Sequence, residues 1–203
     1  MGNIEDQVVL GQYAAGTIDG LRVPAYRDEP GVDRGSYTPT FAKMKVFIDN
    51  WRWQGVPFNM LSGKRLAEKT TRIFVQFRDV PHSIFRNIIN RPITANRLTF
   101  FIQPEEKISL TFQVKNPGSR VCLRPMNMEF SYDSNMGPTL DAYEKVLIDC
   151  LNGDQMLFLR QDSEDLCWSF LTPLIEDCEE CVKKNRILRF YEAGTRGPAG
   201  ACL

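Results

Sequence analysis

From Phe41 to about Tyr132 apolar and polar residues alternate, and only a strand sends successive side chains to opposite faces. Met44, Val46 and Ile48 alternate with Lys43, Lys45 and Asp49. Ile73, Val75 and Phe77 alternate with Arg72, Gln76 and Arg78. Ile108, Leu110, Phe112 and Val114 alternate with Ser109, Thr111, Gln113 and Lys115, and Met126, Met128 and Phe130 with Asn127, Glu129 and Ser131. Each row describes a strand with one buried face. The connections NWRWQG, QPEEK and KNPGS are short or carry turn residues, which predicts antiparallel neighbours rather than crossover units.

After Tyr132 the period becomes helical. Leu140, Tyr143, Val146, Leu147, Cys150 and Leu151 share one helical face, with Asp141 and Glu144 spaced as a capping box and Gly153 just past the end. A second run from near Asp162 carries Leu166, Phe170, Leu171, Leu174, Ile175 and Cys178, with Pro173 inside to kink or end it. Upstream, Gly11 to Thr40 has neither period and is rich in glycine and proline, which reads as an extended arm. The fold class expected is α+β, a large, mainly antiparallel sheet with helices covering one face. A single domain is expected for 203 residues: an arm over 1–40, the sheet over 41–132, helices over 138–184 and a tail over 185–203.

Composition removes several functions. Lys plus Arg and Asp plus Glu number 25 each, so net charge points to neither nucleic acid nor an anionic membrane, and any charge-based function is local. The apolar stretches are short, and MGNIEDQ has neither a basic nor an apolar leader region; a soluble, intracellular and cytoplasmic protein is expected. The six cysteines have no disulfide-scaffold spacing and read as reduced thiols.

Familiar catalytic patterns are missing from these residues. No glycine group has G-x-G-x-x-G spacing. SGKR superficially matches a Walker A loop, but Phe58 stands at the first glycine and Arg65 where Ser or Thr would hold magnesium. His82 is the only histidine, which excludes a multi-histidine metal site and reads as a solvated loop residue. Cys178 and Cys181 form a C-x-x-C late in a helix among acids, which raise a thiol pKa rather than lower it. Glu105/Glu106 and Glu179/Glu180 are sufficiently explained as surface charge.

The stretch VPFNMLSGKRLAEKTTRIFVQF remains, a strand, a Ser-Gly break, Lys64 and Lys69, then a second strand. On spacing alone the lysines are surface cations in a hairpin loop. Their surroundings carry more. IDNWRWQGVPF, SGKRLAEKTT, LTFFIQP, VKNPGS, DAYEKVLIDCLNGDQMLFLRQD, CWSFLTPL and YEAGTRGP together resemble the C-terminal half of glucose-6-phosphate dehydrogenase, in order from Val8 to Pro198.

That resemblance implies the same α+β fold and an enzyme of the pentose phosphate pathway that oxidises glucose 6-phosphate to 6-phosphogluconolactone with NADP. It implies that Lys64 and Lys69, in the G-K-x-L-x-x-[KR] segment, meet the substrate phosphate, that Gly63 lets the backbone turn closely beneath it, and that Gln103 hydrogen-bonds the sugar. Two lysines beside a dianion give charge-assisted hydrogen bonds. The family's nucleotide-binding half, with its glycine-rich turn, and its R-I-D-H-Y-x-G-K segment have no counterpart in these residues. NADP is therefore expected on that N-terminal half and not here, and the chain alone is expected to be inactive. Leu61, Thr70, Phe74 and Phe101 replace the basic residues of the family's second, structural nucleotide site, so no such site is expected. A homodimer is expected through the sheet face bearing Phe47, Phe74 and Phe101, the other reading being that these rings tuck under the arm. The functional alternative is a free-standing, non-catalytic binding or assembly module.

Overall fold

In the computed structural model the described residues are 8–79, 93–118, 122–132, 142–183 and 188–201, the side chains of 174 and 177–183 excepted. The elements run β1 (Val8–Ala14), β2 (Gly16–Ile18), β3 (Leu21–Val23), a 3-10 turn (Tyr26–Asp28), β4 (Phe41–Phe47), β5 (Pro57–Gly63), β6 (Thr71–Gln76), β7 (Arg97–Gln103), β8 (Lys107–Lys115), β9 (Leu123–Ser131), α1 (Ala142–Asn152), α2 (Gln161–Lys183) and β10 (Leu188–Glu192). The class is α+β with mostly antiparallel pairing. The chain divides into two compact units, Met1–Glu68 with Leu157–Leu203, and Lys69–Met156.

The first unit holds a four-stranded sheet ordered β10-β1-β4-β5. β4 and β5 form the hairpin that NWRWQG predicts, Phe41 opposite Gly63 and Phe47 opposite Pro57. β10 lies parallel to β1, Leu188 opposite Leu10 and Tyr191 opposite Tyr13. The segment expected as an arm therefore supplies a sheet strand, and the expected tail supplies another. Both faces of β1 are buried: Val8 and Leu10 pack with Ala42, Met44 and Leu188, while Tyr13 joins Phe41, Tyr191 and Ala201 with Leu61 and Leu66 against them. Glycine and proline stop 24–40 from making a ladder, but side chains secure it. Buried Gln12 donates from Nε2 to the carbonyls of Ser36 (3.1 Å) and Thr38 (3.0 Å), and Arg27 donates to Gln12 Oε1 (2.9 Å).

The second unit is the antiparallel sheet β6-β7-β8-β9. The alternating rows form strands where the period put them, with Ile108 opposite Phe130 and Leu110 opposite Met128, but the burial expected of the apolar rows is not seen: Ile73, Val75, Phe77, Met126, Met128 and Phe130 are exposed, whereas Thr99 and Ser109 are buried. One face is thus aliphatic and aromatic, and the other carries Thr99, Ser109, Thr111, Asn127 and Glu129. Each unit thus has its own four-stranded sheet among the described residues. Phe47 belongs to the sheet of the first unit, and Phe74 and Phe101 to that of the second. α1 ends at Asn152 with Gly153 in the left-handed region (φ 70°), as a C-terminal glycine cap requires; its expected capping Asp141 lies outside the described residues. α2 continues through Pro173. Tyr143, Leu147 and Leu151 of α1 and Leu166, Trp168 and Phe170 of α2 are exposed. Within each unit, covering of a sheet face by these apolar stripes is not seen among the described residues.

Candidate functional site

The loop after β5 is fixed through its main chain. Lys64 N–H donates to the Thr40 carbonyl (2.9 Å), and the Lys64 carbonyl accepts from the Tyr191 hydroxyl (2.7 Å). The Arg65 carbonyl accepts from Gly194 N–H and Ala67 N–H donates to the Thr195 carbonyl, both at 2.9 Å. Arg65 sits at φ 54°, a left-handed conformation that costs a non-glycine residue roughly 1–2 kcal/mol and persists where neighbours over-determine it. Its guanidinium pairs with Glu29 Oε1 at 3.1 Å, which also accepts from the Tyr13 hydroxyl (3.2 Å). The Lys64 side chain is exposed, and no ion pair of its ammonium occurs among the described residues. A cation on a fixed main chain with a free head group can receive an external anion without first breaking an internal pair.

Gly63 has a packing role that its place in the sequence does not reveal. A Cβ there would come within 2.8 Å of Phe41 Cδ2 and 3.0 Å of Leu66 Cδ1, and its φ lies outside the left-handed region. The missing side chain makes room for the core beneath the loop rather than for a tight turn. Gly194, at φ 86°, has both needs, since a Cβ would run into the Thr17 carbonyl.

Tyr191 is buried, with its hydroxyl also 3.1 Å from Thr40 Oγ1. Burial raises the Tyr191 phenol above its ordinary range against the lowering effect of its bonds to Thr40 and Lys64. Burial likewise raises Tyr13, with the Arg65 side chain opposing and the Glu29 carboxylate adding to the rise. Both phenols stay protonated near neutrality, as hydroxyl donors must.

Lys69 and Gln103 belong to the second unit, Lys64 to the first. Thr71 is opposite Gln103 in the β6–β7 ladder, and Thr70 Oγ1 donates to the Gln103 carbonyl (3.0 Å). Lys69 and Gln103 thus lie at the same end of one strand pair, both exposed. Of the residues expected to replace a nucleotide site, Leu61 packs in the first unit's core and Thr70 holds the end of β7. Phe74 lies under Arg97 (5.9 Å), and Phe101 under Arg72 (5.7 Å) and Lys107 (4.7 Å). His82, Cys202 and the Cys178 and Cys181 side chains lie outside the described residues. Cys122, Cys150 and Cys167 are free and exposed, and no cluster with metal-ligand composition occurs among the described residues.

Thr40, Glu29, Tyr191, Gly194 and Thr195, which hold the Lys64 loop, escape reading by period or spacing. For Tyr191, Gly194 and Thr195 the only sequence signal is that YEAGTRGP belongs to the family resemblance.

Comparison with known proteins agrees with that resemblance. The family model for the glucose-6-phosphate dehydrogenase C-terminal domain matches residues 1–202. A chloroplastic glucose-6-phosphate 1-dehydrogenase of Arabidopsis thaliana is 42% identical over 199 residues, 97% of this chain and 33% of the relative. The Aggregatibacter actinomycetemcomitans enzyme is 40% identical over 98% of this chain and 39% of the relative. A solved glucose-6-phosphate dehydrogenase in complex with glucose 6-phosphate superposes with a TM-score of 0.83 at 33% identity, covering 97% of this chain and 39% of that one. The Mycobacterium avium structure gives 0.74 at 28% identity, covering 97% of this chain and 38% of that one. The chain spans only about a third to two-fifths of these proteins' lengths.

Proposed function

The chain belongs to the glucose-6-phosphate dehydrogenase C-terminal domain family, and from that premise we propose that it is the substrate-binding and dimerisation part of an NADP-dependent glucose-6-phosphate dehydrogenase. In this reading Lys64 and Lys69 meet the phosphate of glucose 6-phosphate, and Gln103 hydrogen-bonds the sugar. The observation that carries it is the Lys64 loop: an exposed ammonium on a main chain gripped at residues 64, 65 and 67, in a chain whose relative was solved with glucose 6-phosphate. A phosphate monoester is close to a dianion at neutral pH, and charge-assisted bonds from lysine are about twice as strong as neutral ones.

The residues described do not fit NADP. Among them no strand runs through a glycine-rich turn into a helix, the arrangement that cradles a dinucleotide pyrophosphate. NADP is therefore assigned to a nucleotide-binding half outside these residues, and no step through it is derived. A cytoplasmic site of action is part of the proposal; no helix among the described residues is long and apolar enough to cross a membrane.

The homodimer is proposed through the β6–β7 face that carries Phe74 and Phe101. A two-fold axis would bring the same patch from both chains together, and aromatic rings edged by arginine suit the composition of such contacts.

The test is NADP reduction with glucose 6-phosphate by the pure chain, alone and supplemented with a nucleotide-binding half. No turnover alone and turnover on supplementation is expected. Steady turnover by the pure chain, lost in Lys64→Ala, would refute the division of labour. No turnover in either state, with no glucose 6-phosphate binding, would favour the assembly-module alternative.

A further inference from the structure

Of the four hydrogen bonds that hold the main chain of the Lys64 loop, three come from the segment at the far end of the sequence. Tyr191 donates its hydroxyl to the Lys64 carbonyl at 2.7 Å; Gly194 N–H reaches the Arg65 carbonyl, and the Thr195 carbonyl receives Ala67 N–H. Tyr191 is 4% exposed, and its ring is held by Phe41 (centroids 5.7 Å apart) and Tyr13 (6.4 Å). Such a ring has little freedom to swing its hydroxyl elsewhere. The same hydroxyl approaches Thr40 Oγ1 at 3.1 Å, and the Thr40 carbonyl receives Lys64 N–H at 2.9 Å. Both peptide groups of Lys64 are therefore set by one Thr40–Tyr191 pair.

We infer that Tyr191 is a positioning residue for Lys64: it touches no ligand, but fixes the main chain from which the Lys64 ammonium reaches an anionic substrate. The inference rests on the proposal that Lys64 binds the phosphate. A long flexible lysine gains affinity when its root is fixed, because less conformational entropy is lost on binding. The left-handed Arg65 next to it marks the strain that an unheld loop would relax.

The test is calorimetric titration of the full 203-residue chain with glucose 6-phosphate, using wild type, Tyr191→Phe, Lys64→Ala and the double variant. Tyr191→Phe keeps the ring and removes only the donor; it should weaken binding about three- to tenfold, the range for one lost neutral hydrogen bond. In the Lys64→Ala background the same change should alter Kd by less than about twofold, because a residue acting through Lys64 has nothing left to position. A purely structural role would give the same loss in both backgrounds and overturn the inference. So would an unchanged Kd in Tyr191→Phe when Lys64→Ala weakens binding, an outcome that leaves the phosphate reading standing. An unchanged Kd in Lys64→Ala, or no binding by wild type, removes both. In unaltered protein, glucose 6-phosphate should slow hydrogen exchange at the Lys64 and Ala67 amides. Unchanged exchange there on saturation also overturns the inference, even if Tyr191→Phe fails to fold.

Discussion

Phe41→Ala should be the most damaging single change in the first unit. The ring is 1% exposed, joins Tyr13, Tyr191 and Ala201, and lies against Gly63 and Gly197, whose hypothetical Cβ atoms would come within 2.8 and 2.5 Å of it. Truncating such a phenylalanine costs about 3–5 kcal/mol; the upper half of that range is expected here, because the sheet backbone of β5 borders the cavity and cannot collapse into it. Against a typical total stability of about 5–15 kcal/mol, the loss is a large fraction. Gly63→Ala attacks the same contact from the other side, and overpacking of this kind costs about 1–3 kcal/mol. The two changes compensate, since the deleted ring vacates the space the new methyl needs, so the double variant should be more stable than additivity predicts by about 1 kcal/mol or more. Urea unfolding followed by tryptophan fluorescence reads the right unit, because Trp51, Trp53 and Trp168 all belong to it and Trp53 packs edge-on against Phe58 of β5 (centroids 5.3 Å apart). A loss below about 1 kcal/mol for Phe41→Ala, or strict additivity with Gly63→Ala, would refute this account of the packing.

Lys64→Ala should weaken glucose 6-phosphate binding by about 1.5–3 kcal/mol, the range for a hydrogen bond to a charged group, or roughly 10- to 150-fold by titration; Lys69→Arg, which keeps the charge, should be milder. Stability should fall on the alkaline side. The Tyr13 and Tyr191 phenols are raised by burial, so their contribution is complete below the ordinary tyrosine pKa of about 10 and is lost as pH rises through their higher folded values. Tyrosinate absorbance against pH should show an early group and a late group that ionises together with the loss of Trp53 fluorescence; one common early titration would contradict the burial. Sedimentation at micromolar concentration should give a dimer that Phe74→Lys weakens, and a monomer of unchanged mass in both proteins would dispose of the β6–β7 interface.

Alternation fixed what each stretch is. β4, β6, β8 and β9 lie where residues at 44–48, 73–77, 108–114 and 126–130 alternate, and α1 ends at the glycine that marks its stop. These are local consequences of side-chain direction and backbone propensity, so a few neighbouring residues suffice to state them. Lys64, Lys69 and Gln103 were nameable from the sequence only through the family resemblance, because a short run of charge does not distinguish a binding lysine from a solvated one.

Pairing was decided at longer range. β10 joins β1 because Leu188 and Tyr191 complete the apolar rows of Leu10 and Tyr13, and nothing within YEAGTRGP states that partner. The order of the strands within each sheet, β10-β1-β4-β5 and β6-β7-β8-β9, leaves each strand's own period unchanged and is invisible to it. Gly63 reads locally as a turn residue, yet its lack of a side chain answers to the Phe41 ring. The sequence by itself thus determined strands within 41–132, the helices and the family, and left β1 and β10 unread. The tertiary structure decided that residues from opposite ends of the chain hold the Lys64 main chain, because burial and hydrogen bonding select partners by proximity in space, which no local pattern encodes.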